Sequence, residues 1–154
     1  MQLNHAAPDF SLFNTEKKKI TLSELKGKNV VLLFFPLAFT STCTAELCSM
    51  RDNLTTYNNL NAEVFGISVD SLFSLGKFKE EQKINFELLS DFNKTASKSY
   101  NTIYDSFVFE MEGVSKRSAF VIDKDGILRH AEILEKASEI PSFDAILNVL
   151  KGLN

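Results

Sequence analysis

The sequence has few of the residues that cross-link small domains or break their helices and strands. Its 154 residues include two cysteines, three prolines, six glycines and no tryptophan. Two cysteines cannot build the disulfide framework of a cysteine-rich secreted domain, and no group of cysteines and histidines has the spacing of a zinc site. We therefore expect a fold held by an ordinary hydrophobic core, with no metal and no cofactor.

Long apolar runs and an excess of positive charge are also missing. No segment approaches the roughly 18 apolar residues of a membrane-spanning helix, and the start MQLNHAAPDF lacks the features of a secretory signal. The 17 Lys and Arg residues are balanced by 20 Asp and Glu, and no basic stripe interleaved with aromatics indicates a nucleic-acid surface. We expect a cytoplasmic protein that binds neither membrane nor nucleic acid.

Nothing in the sequence divides the chain. The prolines lie far apart, at Pro8, Pro36 and Pro141, and there is no linker-like composition, repeat or low-complexity tract. A chain of this length usually forms one domain. We expect a single domain over residues 1–154.

Apolar runs and helical spacing alternate along the chain. Buried strands are predicted from Lys28 to Phe35, from Glu63 to Val69 and from Ser118 to Asp123. Helical spacing from Leu47 to Tyr57 separates the first two strands. Further helices are predicted over SLGKFKEEQKI, KTASKSY and PSFDAILNVLKGL, and the turn DKDG before ILRHAEIL predicts a strand antiparallel to the third. The pattern predicts an α/β fold, a mixed sheet with helices on both faces.

Both cysteines lie in the stretch FFPLAFTSTCTAELCSMR, directly after the most apolar run. Cys43 is predicted near the first turn of a helix, at the carboxyl end of a buried strand, where open α/β sheets place their sites. The unpaired amides of a helix start favour a thiolate over a thiol. Thr40 could direct its hydroxyl at the sulfur, and Glu46 could help to cap the helix. Since buried cysteines are common and inert, packing remains an equal alternative at this point.

The spacing between Cys43 and Cys48 restricts what the pair can do. In an intact α-helix, residues five apart have Cα atoms about 8.7 Å from each other, whereas a disulfide rarely tolerates more than about 7 Å. The two cysteines can pair only if the start of the helix unwinds. The spacing is not the C-x-x-C of disulfide oxidoreductases.

The residues Pro36, Thr40 and Cys43 in PLAFTSTC resemble the P-x-x-x-T-x-x-C signature of the peroxiredoxins, which are thiol peroxidases with a thioredoxin-like fold. The resemblance extends over nearly the whole chain, in the expected order. It includes the segments APDFSL, TLSELKGKNVVLLFFP, VFGISVDS, FELLSDFNKTASKSY and RSAFVIDKDGILR.

The resemblance implies a role for each residue of the motif. Cys43 would be the peroxidatic cysteine, oxidised by peroxide to a sulfenic acid. Thr40 would orient the peroxide, Pro36 would shield the sulfenate, and Arg117 would hold the thiolate and the peroxide oxygens. Of these roles, the one given to Arg117 agrees with a general principle, because a fixed guanidinium stabilises the negative charge that develops on the leaving oxygen.

The stretch CTAELCSMRD is similar to the Q-type peroxiredoxins, also called bacterioferritin comigratory proteins. In that subtype Cys48 would be the resolving cysteine, forming an intramolecular disulfide that a thioredoxin- or glutaredoxin-like dithiol reduces. The near alternative is a one-cysteine cycle of the alkyl hydroperoxide reductase E type, with Cys48 as a packing residue. The substrates would be hydrogen peroxide and organic hydroperoxides, and the protein a monomer or homodimer.

Two other classes compete with this interpretation. A general disulfide oxidoreductase of the thioredoxin type is disfavoured, because Ser118 and Ala119 begin the third strand without the preceding proline of that class. A peroxide-sensing redox partner would use the same reactive Cys43 but stop after about one turnover.

Overall fold

Seven strands form one sheet, and the computed structural model describes residues 1–154. The strands are β1 (Ser11–Asn14), β2 (Lys19–Thr21), β3 (Asn29–Phe34), β4 (Ala62–Ser68), β5 (Glu87–Ser90), β6 (Ser118–Ile122) and β7 (Leu128–Ile133). Their order across the sheet is β2-β1-β5-β4-β3-β6-β7. Strands β3, β4 and β5 are parallel, and all other neighbours are antiparallel. The sheet is mixed, as predicted.

Helices cover both faces of the sheet. They are α1 (Ser41–Asp52), α2 (Leu54–Asn59), α3 (Leu72–Gln82), α4 (Thr95–Ser99) and α5 (Phe143–Leu153), with short 3-10 turns at Leu22–Leu25 and Val108–Glu110. Residues of α1, α3 and α5 pack with Val31 and Leu33 in one core cluster. Ala96 of α4 packs with Val30 and Leu32 in the other. Because successive strand residues point to opposite faces, the wholly buried strand β3 supplies both cores.

The four predicted strands are observed within one residue at each end, but two features differ from prediction. The helical spacing that runs to Tyr57 forms two helices, since the backbone leaves helical geometry at Asn53 (φ −116°, ψ 11°). Strands β1, β2 and β5 were not predicted. With three or four residues each, they are too short for an apolar period to identify them.

The register of β3 and β6 brings two distant segments to one edge of the sheet. Phe34, the last residue of β3, pairs with Ser118, the first residue of the antiparallel strand β6. The chain leaving β3 towards α1 therefore lies beside Arg117, which precedes β6. None of the helices combines the length and apolar character that crossing a bilayer requires.

Candidate active site

The connection from β3 to α1 is short and tightly bound. Pro36, two residues after the end of β3, is buried, and the amide of Ala38 donates to Asp70 Oδ2 at 2.8 Å. Thr40 is the N-cap residue of α1, with extended φ and ψ, and its hydroxyl donates to the carbonyl of Leu37 at 2.8 Å. Phe39 before it has φ of 68°, in the left-handed region that a bulky side chain rarely occupies.

Cys43 is the third residue of α1, as its predicted place near the helix start requires. Its side chain is turned into the core and only 1% of the residue is exposed. Backbone amides of a helix's first turn carry partial positive charge and lack main-chain partners. Such amides stabilise negative charge on an atom placed at the helix start.

Arg117 is buried beside this helix, with 1% of its surface exposed. Its Nη1 donates to Glu46 Oε1 at 2.8 Å and its Nη2 to the carbonyl of Ala137 at 3.0 Å, while Nε has no partner. Burial alone would lower the pKa of Arg117, but the negative charges of Glu46 and Cys43, together with the hydrogen bond to Glu46, raise that pKa. Arg117 therefore stays a cation and faces both the carboxylate and the sulfur.

The structure corrects the role predicted for Glu46. Its carboxyl group does not cap α1, which has no side-chain cap, but is fully buried and paired with Arg117. Burial raises the pKa of Glu46 to about 7, against the charge and hydrogen bond of Arg117, which lower it. The missed signal was spacing, since Cys43, Glu46 and Met50 recur at three and four residues and so share the buried face of the helix.

Cys48 lies one turn further along α1 and is half-buried. Its thiol donates to Gln82 Oε1 at 3.6 Å. Both cysteines are free, and they lie in one continuous helix. Residues five apart in such a helix are too distant for a disulfide. In this structure, as expected from the sequence, Cys43 and Cys48 can pair only if the start of α1 unwinds.

The site thus combines a thiol at a helix start with a buried cation held by a carboxylate. Among the predicted residues, Cys43 and Arg117 are brought together, Thr40 and Pro36 lie in the connection before the helix, and Cys48 faces α3 instead. A fixed cation in a site that excludes water stabilises a thiolate and any negative charge that develops on an atom bound to it. The arrangement is suited to redox chemistry at sulfur.

Comparisons with known proteins agree with this chemistry. The model of the AhpC/TSA family matches residues 3–131. The chain is 37% identical over 142 residues to the 2-Cys peroxiredoxin BAS1 of Spinacia oleracea, in a match covering 85% of this chain and 52% of the relative. It is 32% identical over 146 residues to peroxiredoxin Bcp of Escherichia coli, covering 94% and 92%. The crystal structure of peroxidoxin BcpB from Mycobacterium tuberculosis has a TM-score of 0.87 at 28% identity, covering 100% and 99%.

The chain therefore belongs to the AhpC/TSA family. Similarity to Bcp and BcpB over nearly the whole of each chain confirms the predicted resemblance to peroxiredoxins of the bacterioferritin comigratory type, and with it the thioredoxin-like fold. The chain spans only about half the length of BAS1.

Proposed function

We propose that the protein is a thiol-dependent peroxidase in which Cys43 is the peroxidatic cysteine. The observation that carries this proposal is the buried Cys43 thiol at the start of α1, on the same helix face as Glu46, whose carboxylate binds the buried guanidinium of Arg117. The Cys43 thiolate attacks one peroxide oxygen, so that an S–O bond forms while the O–O bond breaks. Sulfur is oxidised to sulfenic acid, and the departing oxygen takes a proton from solvent and leaves as water or alcohol.

The neighbouring residues have supporting roles. Arg117 stabilises the thiolate and the charge on the departing oxygen, with Glu46 holding its guanidinium in place. Thr40 orients the peroxide at the helix start, after its hydroxyl turns from the carbonyl of Leu37. Pro36, buried in the connection from β3 to α1, limits the access of water to the sulfenic acid.

Cys48 is the resolving cysteine in this proposal. Its sulfur attacks the Cys43 sulfenic acid, the S–S bond forms as the S–O bond breaks, and the hydroxyl leaves as water with the thiol proton. The start of α1 must unwind first. Two features support such an opening: α1 has no side-chain cap, and Phe39 before it has a strained positive φ.

A thioredoxin- or glutaredoxin-like dithiol then reduces the disulfide, and this need for a reducing partner supports a cytoplasmic location. The substrates are hydrogen peroxide and organic hydroperoxides, the latter favoured by the partly exposed apolar residue Phe39 in the connection before α1. The protein acts as a monomer or homodimer, and residues 1–154 form one domain.

Steady-state peroxide consumption with a dithiol reductant tests this function in wild type, Cys43→Ser and Cys48→Ser. We expect Cys43→Ser to fall to the background rate and Cys48→Ser to be oxidised once and then turn over poorly. Mass spectrometry after one equivalent of peroxide should find a Cys43–Cys48 link in the wild type. Full turnover by Cys48→Ser would favour a one-cysteine cycle with Cys48 as a packing residue, and a wild type that stops after one turnover would favour a peroxide sensor.

A further inference from the structure

The thiol of Cys48 is held by one side chain from a neighbouring helix. Gln82 is the last residue of α3, and its Oε1 accepts the Cys48 thiol at 3.6 Å. A thiol is a weak donor, and this distance is within the range of hydrogen bonds to sulfur. Neither peroxide reduction nor disulfide formation, as proposed above, uses Gln82.

The main chain of Gln82 is fixed independently of its side chain. The guanidinium of Arg51 donates from Nη1 to the Gln82 carbonyl, one of those that a helix end leaves without a partner. Asn85 in turn donates to the carbonyl of Arg51 at 3.2 Å. Arg51 follows Cys48 on α1, so this anchor remains when only the residues up to Cys48 unwind.

We propose that Gln82 is a positioning residue that retains Cys48 on the closed helix and thereby sets the rate of disulfide formation. This inference rests on the two-cysteine cycle proposed above. Cys48 must leave Gln82 before its sulfur can reach the Cys43 sulfenic acid, so the S–H···O bond stabilises the state before closure and not the state in which sulfur meets sulfur. A neighbour that slows closure also lengthens the life of the sulfenic acid, which further peroxide oxidises to sulfinic acid.

The test compares wild type with Gln82→Met and Gln82→Glu. Met keeps the length of the side chain but removes the acceptor, whereas Glu keeps an acceptor oxygen in the same place. After one equivalent of peroxide, the reaction is quenched at intervals by thiol alkylation, and sulfenic acid and disulfide are quantified by mass spectrometry. We expect Gln82→Met to close the disulfide about twofold faster, the factor at the weak end of the range for hydrogen bonds, and Gln82→Glu not to be accelerated.

One further measurement separates positioning from a merely structural effect. At excess peroxide the Gln82→Met variant should accumulate less sulfinic acid than the wild type. If Gln82→Met does not fold, Gln82→Ala serves the same purpose. Closure that is equally fast or slower without the acceptor overturns the inference alone, whereas a wild type that forms no Cys43–Cys48 disulfide overturns the two-cysteine cycle and the inference with it.

Discussion

The two cysteines share one helix but have opposite surroundings. Cys43 is 1% exposed and shares the buried face of α1 with Glu46, whose ion pair with Arg117 is anchored by the bond from Arg117 Nη2 to the carbonyl of Ala137. Cys48 is half-buried and is held by one weak bond to Gln82. The difference matches their proposed tasks, because a nucleophile that meets a small substrate benefits from a fixed environment, whereas one that must move to its target cannot be held strongly.

The three long helices also differ in how firmly their first turns are held. The side chains of Ser71 and Ser142 cap α3 and α5 by accepting from the amides of Ser74 and Ala145, but Thr40 makes no such bond at α1. A cap of this kind typically contributes about 1 kcal/mol. The first turn of α1 is therefore less secured than the starts of the other two long helices, and it is the turn that has to open.

The largest effect is expected from removing the cation in the fixed surroundings of Cys43. Arg117→Met removes the cation while keeping an unbranched side chain, and we expect the rate constant for oxidation of Cys43 by peroxide to fall about 10²- to 10³-fold. The measurement is alkylation of the remaining thiol in samples quenched at intervals after peroxide is added. Lys116→Met is the matched control. Lys116 is the neighbouring cation, but its Nζ lies 2.8 Å from Glu135 Oε1 and so pairs with a different carboxylate. Equal rates in Arg117→Met and the wild type would remove Arg117 from the site.

Substitution of Glu46 tests how the buried pair responds to pH. Burial raises the Glu46 pKa from 4.5 to about 7, so between these values the folded state binds more protons than the unfolded state. Stability contributed by this group is then present at low pH and is lost as pH rises through 7, with a slope of at most about 1.4 kcal/mol per pH unit. Glu46→Gln cannot titrate, so the wild type should lose stability relative to the variant over this range.

Urea unfolding of both proteins at several pH values between about 5 and 8 measures this difference. The absolute stability of Glu46→Gln does not matter to the result, because only the change of the difference with pH reports the titration. Parallel stability curves would contradict a raised pKa for Glu46.

The residues of this comparison differ in how far the sequence could predict them. The strand before Pro36, the helix after it and the place of Cys43 follow from local patterns, namely an apolar run, a proline and helical spacing. The contact of Glu46 with Arg117 joins residues 71 positions apart. Only the pairing of β3 with β6 brings them together, so the prediction of a capping role for Glu46 was wrong. The family resemblance identified Arg117, but no local pattern could name its partner.

The contact of Gln82 with Cys48 could not be predicted from local sequence either. It ends α3 and contacts Cys48 across 34 positions, and nothing in its own neighbourhood distinguishes it from other polar residues at a helix end. Helix periodicity predicts that α3 packs on the sheet but not which residue of its last turn meets α1. The short strands β1, β2 and β5 were missed for a related reason, since their stability comes from neighbouring strands and not from their own sequence.

The smallest effect is expected from securing the loose start of α1. Ser41 is the first helical residue, where proline is favoured because its fixed φ suits a helix and its missing amide has no helical partner. Thr40 before it is already extended, with φ −86° and ψ 152°, as a residue before proline requires. We expect Ser41→Pro to stabilise the closed helix by about 0.4 to 1 kcal/mol, and therefore to slow disulfide closure about two- to fivefold. The same alkylation time course measures this rate, which should be unchanged in the control Ser41→Ala. A higher melting temperature with an unaltered closure rate would mean that the first turn of α1 does not open on the way to the disulfide.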